Sequence, residues 1–225
     1  MICRNFKSFG FVVLVTSAMT FSTGAYAFSL GNITESFSNT QGATEESEQA
    51  PKIDLVAAEE DVVRLISSSL RNLTLAQAII FEAIGLKEEA AIAEEYAQSM
   101  EEGSLMGKKE MKTNISRSKE MNDKIVEKLA EKQDLGEDAK VVFATSLPPY
   151  AQGAISGIQG SQRAISIAQS IQSNPLNILK FGTVVFVAKE APGLISSFTD
   201  TTGAIQDFAT YQGIPTEDLS EVSGL

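Results

Sequence analysis

The sequence contains neither histidine nor tryptophan, and its only cysteine is Cys3. Without histidine the chain cannot build a Ser-His-Asp triad, a His-ligated zinc site or a di-iron bundle based on Glu-x-x-His. Cys3 lies in a segment that we expect to be removed during export, so the mature chain would have no thiol nucleophile and no disulfide. These absences predict a non-enzymatic protein with no cofactor and no metal site.

Positive charge is also scarce. The chain has 18 lysines and arginines against 29 aspartates and glutamates, which gives a formal net charge of −11. Nonspecific binding to nucleic acid needs clustered basic residues that replace the counterions of the phosphates. A nucleic-acid partner is therefore excluded. Hydrophobic residues make up 43% of the sequence, which is enough for a buried core in a chain of this length and excludes global disorder.

Residues 1–27 have the three-part layout of a secretory signal peptide. Arg4 and Lys7 precede an apolar run, and Ala25 and Ala27 supply the small residues of a cleavage site. The run is shorter than the roughly 20 residues of a transmembrane span, so we expect cleavage after Ala27. Loss of the two basic residues leaves a formal charge of −13. The predicted location is the periplasm, with the extracellular space as the second choice.

Four segments follow the predicted signal. Residues 28–50 are polar and acidic without sustained apolar periodicity, which predicts a flexible acidic leader. Residues 51–135 form an acidic helical part and residues 136–213 a helical part rich in small residues. Residues 214–225 are interpreted as an acidic tail that is loosely held from Thr216 onward. The sequence leaves open whether the two helical parts form one domain or two.

The acidic helical part has apolar residues at steps of three and four, the pattern of an amphipathic helix. One long helix is predicted between Asp54, a plausible N-cap, and Gly85, a C-cap candidate. A second helix over 86–102 has alanines along its inner stripe, so we expect it to form a hairpin with the first.

A third predicted helix, over 108–133, is mostly polar. Its apolar stripe is interrupted by Ser118 and Asn122, which is typical of a helix that is exposed or packed on a wet seam. Eight basic residues in this helix are interleaved with acids. We interpret this pattern as a solvated face, and as one of two candidate contact surfaces.

After residue 136 charges become rare and prolines divide the pattern. The sequence predicts a helix over 137–147 that two prolines stop, a helix over 150–172, and a last long helix that begins at Pro192. The segment 176–189 is apolar almost all round, which predicts a central buried helix. A β-branched stretch within it, 183–187, would also suit a strand, but no second strand is predicted to pair with it. The expected fold is all-α, a helical bundle or stacked helical hairpins of about six helices.

Small residues recur at steps of four, three, four and four in the 150–172 helix. The resulting candidate helix-contact face consists of Gly153, Gly157, Gly160, Ala164 and Ala168. Such a face lets two helix backbones approach closely. We interpret it as an internal surface packed on the 176–189 helix. The alternative is a surface for self-association or membrane contact. On this alternative, the glycine face is the second candidate contact surface.

Carboxylates are the remaining candidates for chemistry. Glu82 lies among apolar residues, so partial burial could raise its pKa and suit it to acid–base work. The alternative places it at the edge of the apolar stripe. The glutamates between residues 88 and 102 follow one helix face and lack the loop geometry of a calcium site, which indicates a solvated surface.

Together these observations predict an exported helical protein that acts by binding another macromolecule of the envelope or the extracellular space. The expected partner is a protein or a second copy of the chain. Three alternatives stay open. They are a membrane-active secreted factor that uses the helices of 150–212, a carrier of an apolar ligand held between helices, and an enzyme that uses Glu82.

Overall fold

The computed structural model describes residues 54–100, 105–171 and 175–225; the predicted signal peptide and acidic leader lie outside this range. Within these residues the chain forms six α-helices and two 3₁₀ turns, without a strand. The helices are α1 (Leu55–Ala83), α2 (Lys87–Ser99), α3 (Lys108–Ala130), α4 (Glu137–Ile171), α5 (Pro175–Lys180) and α6 (Gly182–Gln212), and the turns are Glu217–Leu219 and Val222–Gly224. The all-α prediction is confirmed, and the 183–187 segment is helical.

Helix α1 begins and ends at the predicted residues. The Asp54 carboxylate accepts hydrogen bonds from the backbone N–H groups of Val56 and Ala57 at 3.0 and 3.3 Å. At the other end Gly85 has a φ of 82°, which a residue with a Cβ rarely adopts. The Leu86 N–H donates to the carbonyl of Phe81 at 2.8 Å, completing a Schellman-type C-terminus.

Helix α2 packs back against α1 as the predicted hairpin. Ala93 and Ala97 are 0% and 2% exposed, so the small side chains do lie at the seam. Two contacts then tie α2 to α3. The Arg117 guanidinium lies 3.8 Å from the centre of the Tyr96 ring, and Lys124 forms an ion pair with Glu89. Helix α2 is therefore held on one side by apolar packing and on the other by charged groups.

Helix α4 differs from the prediction, because Pro148 and Pro149 lie inside one continuous helix instead of ending it. Each proline removes a backbone donor and costs about 3 kcal/mol in a helix interior. Burial on both sides offsets this cost: Phe143, Leu147 and Tyr150 are all nearly inaccessible to solvent. Tertiary packing therefore overrides the local stop signal.

The segment 176–189 is also different from the prediction of one central buried helix. It divides at Phe181 into the short α5 and the start of α6. Leu176 and Leu179 of α5 are 75% and 81% exposed. Pro192 does not begin the last helix but lies inside α6, on its exposed side.

The core lies between α1 and α4, with α6 packed on α4 and α3 packed on α6 and α1. Helices from both sequence parts thus share one hydrophobic core. The C-terminal residues also belong to it, because Leu219 and Val222 are 0% and 3% exposed. The interpretation of the tail from Thr216 as loosely held is therefore wrong.

Candidate functional site

The glycine face of α4 packs closely against α1. A Cβ added at Gly153 would lie 2.7 Å from Leu73 Cγ, 2.9 Å from the Leu73 backbone nitrogen and 3.1 Å from the Ser69 carbonyl oxygen. At Gly160 it would lie 2.9 Å from Ile66 Cδ1. Only the absence of side chains permits this approach. The main partner of the glycine face is α1, so the predicted packing against the 176–189 helix is wrong.

Further contacts place this face inside the molecule. A Cβ at Gly157 would collide with the Phe198 ring of α6, and it would lie 2.6 Å from Ser69 Oγ. Ser69 Oγ donates a 2.7 Å hydrogen bond to the Gly153 carbonyl, joining the two backbones. Ala164 is fully buried, whereas Ala168 is partly exposed. The glycines therefore hold the bundle together and are not presented to a partner. Of the helices that the structure describes, none has the length and apolar content needed to cross a bilayer.

Helix α3 packs through the stripe predicted for it, including the two polar residues. Gln77 of α1 donates through Nε2 to Asn122 Oδ1 at 2.8 Å and to the Ser118 carbonyl at 3.0 Å. Asn122 Nδ2 donates to Ser197 Oγ of α6 at 3.1 Å. Gln77 and Asn122 are both 0% exposed. This buried polar seam connects α1, α3 and α6.

The ion pair between α2 and α3 gives a prediction for the pH dependence of stability. The hydrogen bond from Lys124 lowers the pKa of Glu89 below its ordinary value. A carboxylate with a lowered pKa stabilises the fold above its ordinary pKa, and this contribution is lost as the pH falls through the folded-state value. We expect Glu89→Gln to lower the urea midpoint at about pH 7 and to change it little at about pH 2.

Glu88→Gln is the matched control, since Glu88 is the adjacent, more exposed residue of α2. Both residues are in the first turn of α2, so the control removes the same favourable charge at the helix N-terminus without an ion pair. Its midpoint at about pH 7 should fall less than that of Glu89→Gln. Equal shifts for Glu89→Gln in acid and at neutral pH would show that its ion pair with Lys124 does not stabilise the fold.

The carboxylates singled out in the sequence do not form a site. Glu82 is exposed, in agreement with a position at the edge of the apolar stripe and not with partial burial. Glu88, Glu94 and Glu95 are exposed along α2. Within residues 54–100, 105–171 and 175–225, no three side chains of histidine, cysteine, aspartate or glutamate converge on a point that could hold a metal.

A buried tyrosine is an ionisable group inside the bundle. Tyr150 of α4 is 0% exposed, and burial raises the pKa of its hydroxyl well above the ordinary value. The hydroxyls of Thr201 and Thr202 oppose this rise only in part. Tyr150 therefore stays protonated at neutral pH, which does not suit it to act as a base.

An open apolar groove lies where the C-terminal half of α4 meets α5 and the start of α6. It has a volume of about 260 Å³. Its lining is mainly aliphatic and comprises Ile165, Ala168, Gln169, Ile178, Val185, Ala188 and Lys189. Leu176 and Leu179 lie on the same short helix as Ile178 and are mostly exposed. We call the groove together with these two leucines the α5 surface.

Two lysines lie at the α5 surface, and one of them lies beside a carboxylate. Lys189 lines the groove, and the described lining residues include no carboxylate. Lys180, the last residue of α5, is exposed and lies 5.3 Å from the centre of the Phe181 ring. Lys180 also interacts with Glu59, whose pKa is raised by partial burial although the backbone N–H groups at the start of α6 oppose this.

Comparison with protein-family models, curated proteins and solved structures found no match for this chain. The function therefore has to be inferred from the geometry of the molecule itself.

The α5 surface was missed in the sequence because 176–189 has the composition of a buried helix. Two local sequence signals indicate a short helix in this segment. Asn174-Pro175 marks a helix start, and Gly182 is a weak helix former only seven residues later. Together they indicate a helix too short to bury both of its faces.

Proposed function

We propose that this chain is an exported, non-enzymatic helical protein that binds another macromolecule through the α5 surface. The observation that carries the proposal is the exposure of Leu176 and Leu179, at 75% and 81%, beside an open apolar groove. Fully burying a leucine side chain contributes about 1.5–3 kcal/mol. A partner that covered both leucines would gain much of this free energy.

The other candidate surfaces are less suited to binding. The glycine face is occupied by α1, and the inner stripe of α3 is buried against α1 and α6. The outer face of α3 is charged and solvated, so covering it would contribute little to the free energy of binding a partner. Contiguous apolar patches on a protein surface mark interaction sites more often than isolated apolar residues do.

Export is proposed from residues 1–27, whose order of basic, apolar and small residues is that of a signal peptide. The absence of histidine and of a cysteine after Cys3 supports the proposal that the chain acts by binding and not by catalysis.

Both parts of the proposal can be tested by cross-linking in cells. A photoreactive amino acid placed at Leu179 should yield an adduct with a second macromolecule, recovered with the exported fraction. The matched control is the same residue at Val141, which is 67% exposed at the start of α4. Position 141 lies about 36 Å along α4 from the groove at Ile165.

We expect an adduct at position 179 that Leu176→Ser reduces severalfold, and little adduct at position 141. Equal yields at both positions would contradict binding through the α5 surface. Adducts found only in the cytosol, on chains that still carry residues 1–27, would contradict export.

A further inference from the structure

We infer that helix α3 is a strap that opens from its N-terminal end while α1, α4 and α6 stay packed together, with the loop at 131–136 as its hinge. This inference does not depend on the proposed function, because it uses neither α5 nor the groove. Three observations carry it: the position of α3 at the edge of the core, the polar residues in the seam beneath it, and the unequal attachment of its two ends.

Helix α3 lies at the edge of the core. Helix α4 packs along α1 and α6 packs on α4, whereas α3 packs on α1 and α6 from outside. The close approach of α1 and α4 at the glycine face involves α1 and α6 residues and none of α3. Towards α2, the ion pair between Lys124 and Glu89 is partly exposed, so salt screens it. The strap can therefore leave without separating the other long helices.

The seam beneath α3 is partly polar. Its middle consists of Ser118 and Asn122, with apolar residues on either side. Gln77 Nε2 donates to both residues, but the buried Gln77 Oε1 has no hydrogen-bond partner among the described residues. A buried carbonyl oxygen without a donor destabilises the packed form, and water can supply the donor once α3 opens. The seam therefore resists opening less than an apolar seam of the same area would.

The N-terminal end of α3 is weakly held. Gly107 occupies the N-cap position and offers no side-chain acceptor to the free N–H groups of the first turn. The next two residues are lysines, whose charge is unfavourable at the positive end of the helix dipole, and Glu110 offsets this only in part. The Met106 N–H donates to Ser67 Oγ of α1 at 3.2 Å. This is the hydrogen bond that breaks when the strap begins to open.

The C-terminal end of α3 leads into a loop that α6 holds firmly. Gln212 Oε1 accepts from the Leu135 N–H at 3.1 Å, and Gln212 Nε2 donates to the Gln133 carbonyl at 2.7 Å. The Tyr211 hydroxyl donates to the Asp134 carboxylate at 2.9 Å. Three hydrogen bonds thus keep this loop on α6 when the other end is released, which makes the loop the hinge.

Buried thiols can test whether α3 opens separately. Ser118→Cys on α3 and Ser161→Cys on α4 are conservative exchanges at positions that are 2% and 0% exposed, and both are made in a chain with Cys3→Ser. A thiol reagent reacts with a buried thiol only while an opening exposes it. We expect the thiol of Ser118→Cys to react about a hundredfold faster than that of Ser161→Cys. Its rate should also depend less on urea, because a partial opening exposes less surface.

Hydrogen exchange of the unsubstituted chain is the second measurement, and it does not depend on how well the variants fold. Amides of residues 108–118 should exchange faster than those of residues 122–130, and both groups faster than the buried turns of α4 around Gly157.

An N-cap variant tests the direction of opening. Gly107→Asp adds a side-chain acceptor and a negative charge at the start of α3, where a Cβ has nothing within 4 Å. It should slow the labelling of Ser118→Cys about threefold. Gly107→Ala is the matched control, since it adds a Cβ without an acceptor or a charge, and it should not slow the labelling.

Equal labelling rates with equal urea dependence for the two thiols would overturn the inference, because α3 would then open only when the whole bundle unfolds. Equal exchange protection of α3 and α4 in the unsubstituted chain would do the same. Exchange that begins in residues 122–130, or labelling that Gly107→Asp does not slow, would refute an opening from the N-terminal end.

Discussion

Gly153→Ala should lower the free energy of unfolding by about 2 kcal/mol, within the range of overpacking substitutions. The added Cβ would lie 2.9 Å from the backbone nitrogen of Leu73 and 3.1 Å from the carbonyl oxygen of Ser69. Neither backbone atom can rotate away, so α1 and α4 must separate along the seam. Alanine favours the helix by about 1 kcal/mol relative to glycine. The expected loss of about 2 kcal/mol in the free energy of unfolding already includes this favourable contribution.

Gly203→Ala on α6 is the matched control for the same exchange. Nothing lies within 4 Å of a Cβ at Gly203, so only the propensity gain applies. We expect this variant to be more stable by up to about 1 kcal/mol. Urea unfolding followed by circular dichroism measures both. If Gly153→Ala were as stable as Gly203→Ala, the close approach of α1 and α4 would be refuted.

Asn122→Leu should destabilise the protein by about 2–3 kcal/mol, because it removes the centre of the buried polar seam. Gln77 Nε2 would lose its 2.8 Å acceptor, and Ser197 Oγ would lose the hydrogen bond that it accepts at 3.1 Å. Gln77 Nε2 would keep only its contacts with Ser118, and removing one partner of a buried hydrogen bond costs about 1–3 kcal/mol. Helix α3 should loosen first, since this seam joins it to both α1 and α6.

A double-mutant cycle provides the control. Replacing both partners, Gln77→Leu with Asn122→Leu, removes both ends of the hydrogen bond between the two side chains, so the double variant should lose less than the sum of the single losses. Simple additivity would mean that the two side chains do not interact in the folded protein.

Elements defined by local signals could be predicted from the sequence. Asp54 and Gly85 set the ends of α1 through a side-chain cap and a left-handed residue, both of which depend on only a few neighbours. The stripe of α3 was predicted with its polar members, because helical periodicity alone places Ser118 and Asn122 on the inner face.

The errors occur where tertiary packing overrides local propensity. Pro148 and Pro192 are strong helix breakers, yet both lie inside continuous helices anchored by buried residues on either side. The contact partner of the glycine face depends on which helices become neighbours, which residue spacing does not determine. The exposure of Leu176 and Leu179 was missed for a related reason: composition indicates how apolar a segment is but not whether another helix covers it.

The yield of cross-linked partner at position 179, compared with position 113, most directly tests the central claim that the chain binds through the α5 surface. Thr113 is exposed on α3, the other surface that the sequence proposed for contact. We expect an adduct with a second protein at position 179 and only background at position 113. The reverse pattern, with the adduct at position 113, would contradict the claim and assign binding to the polar face of α3.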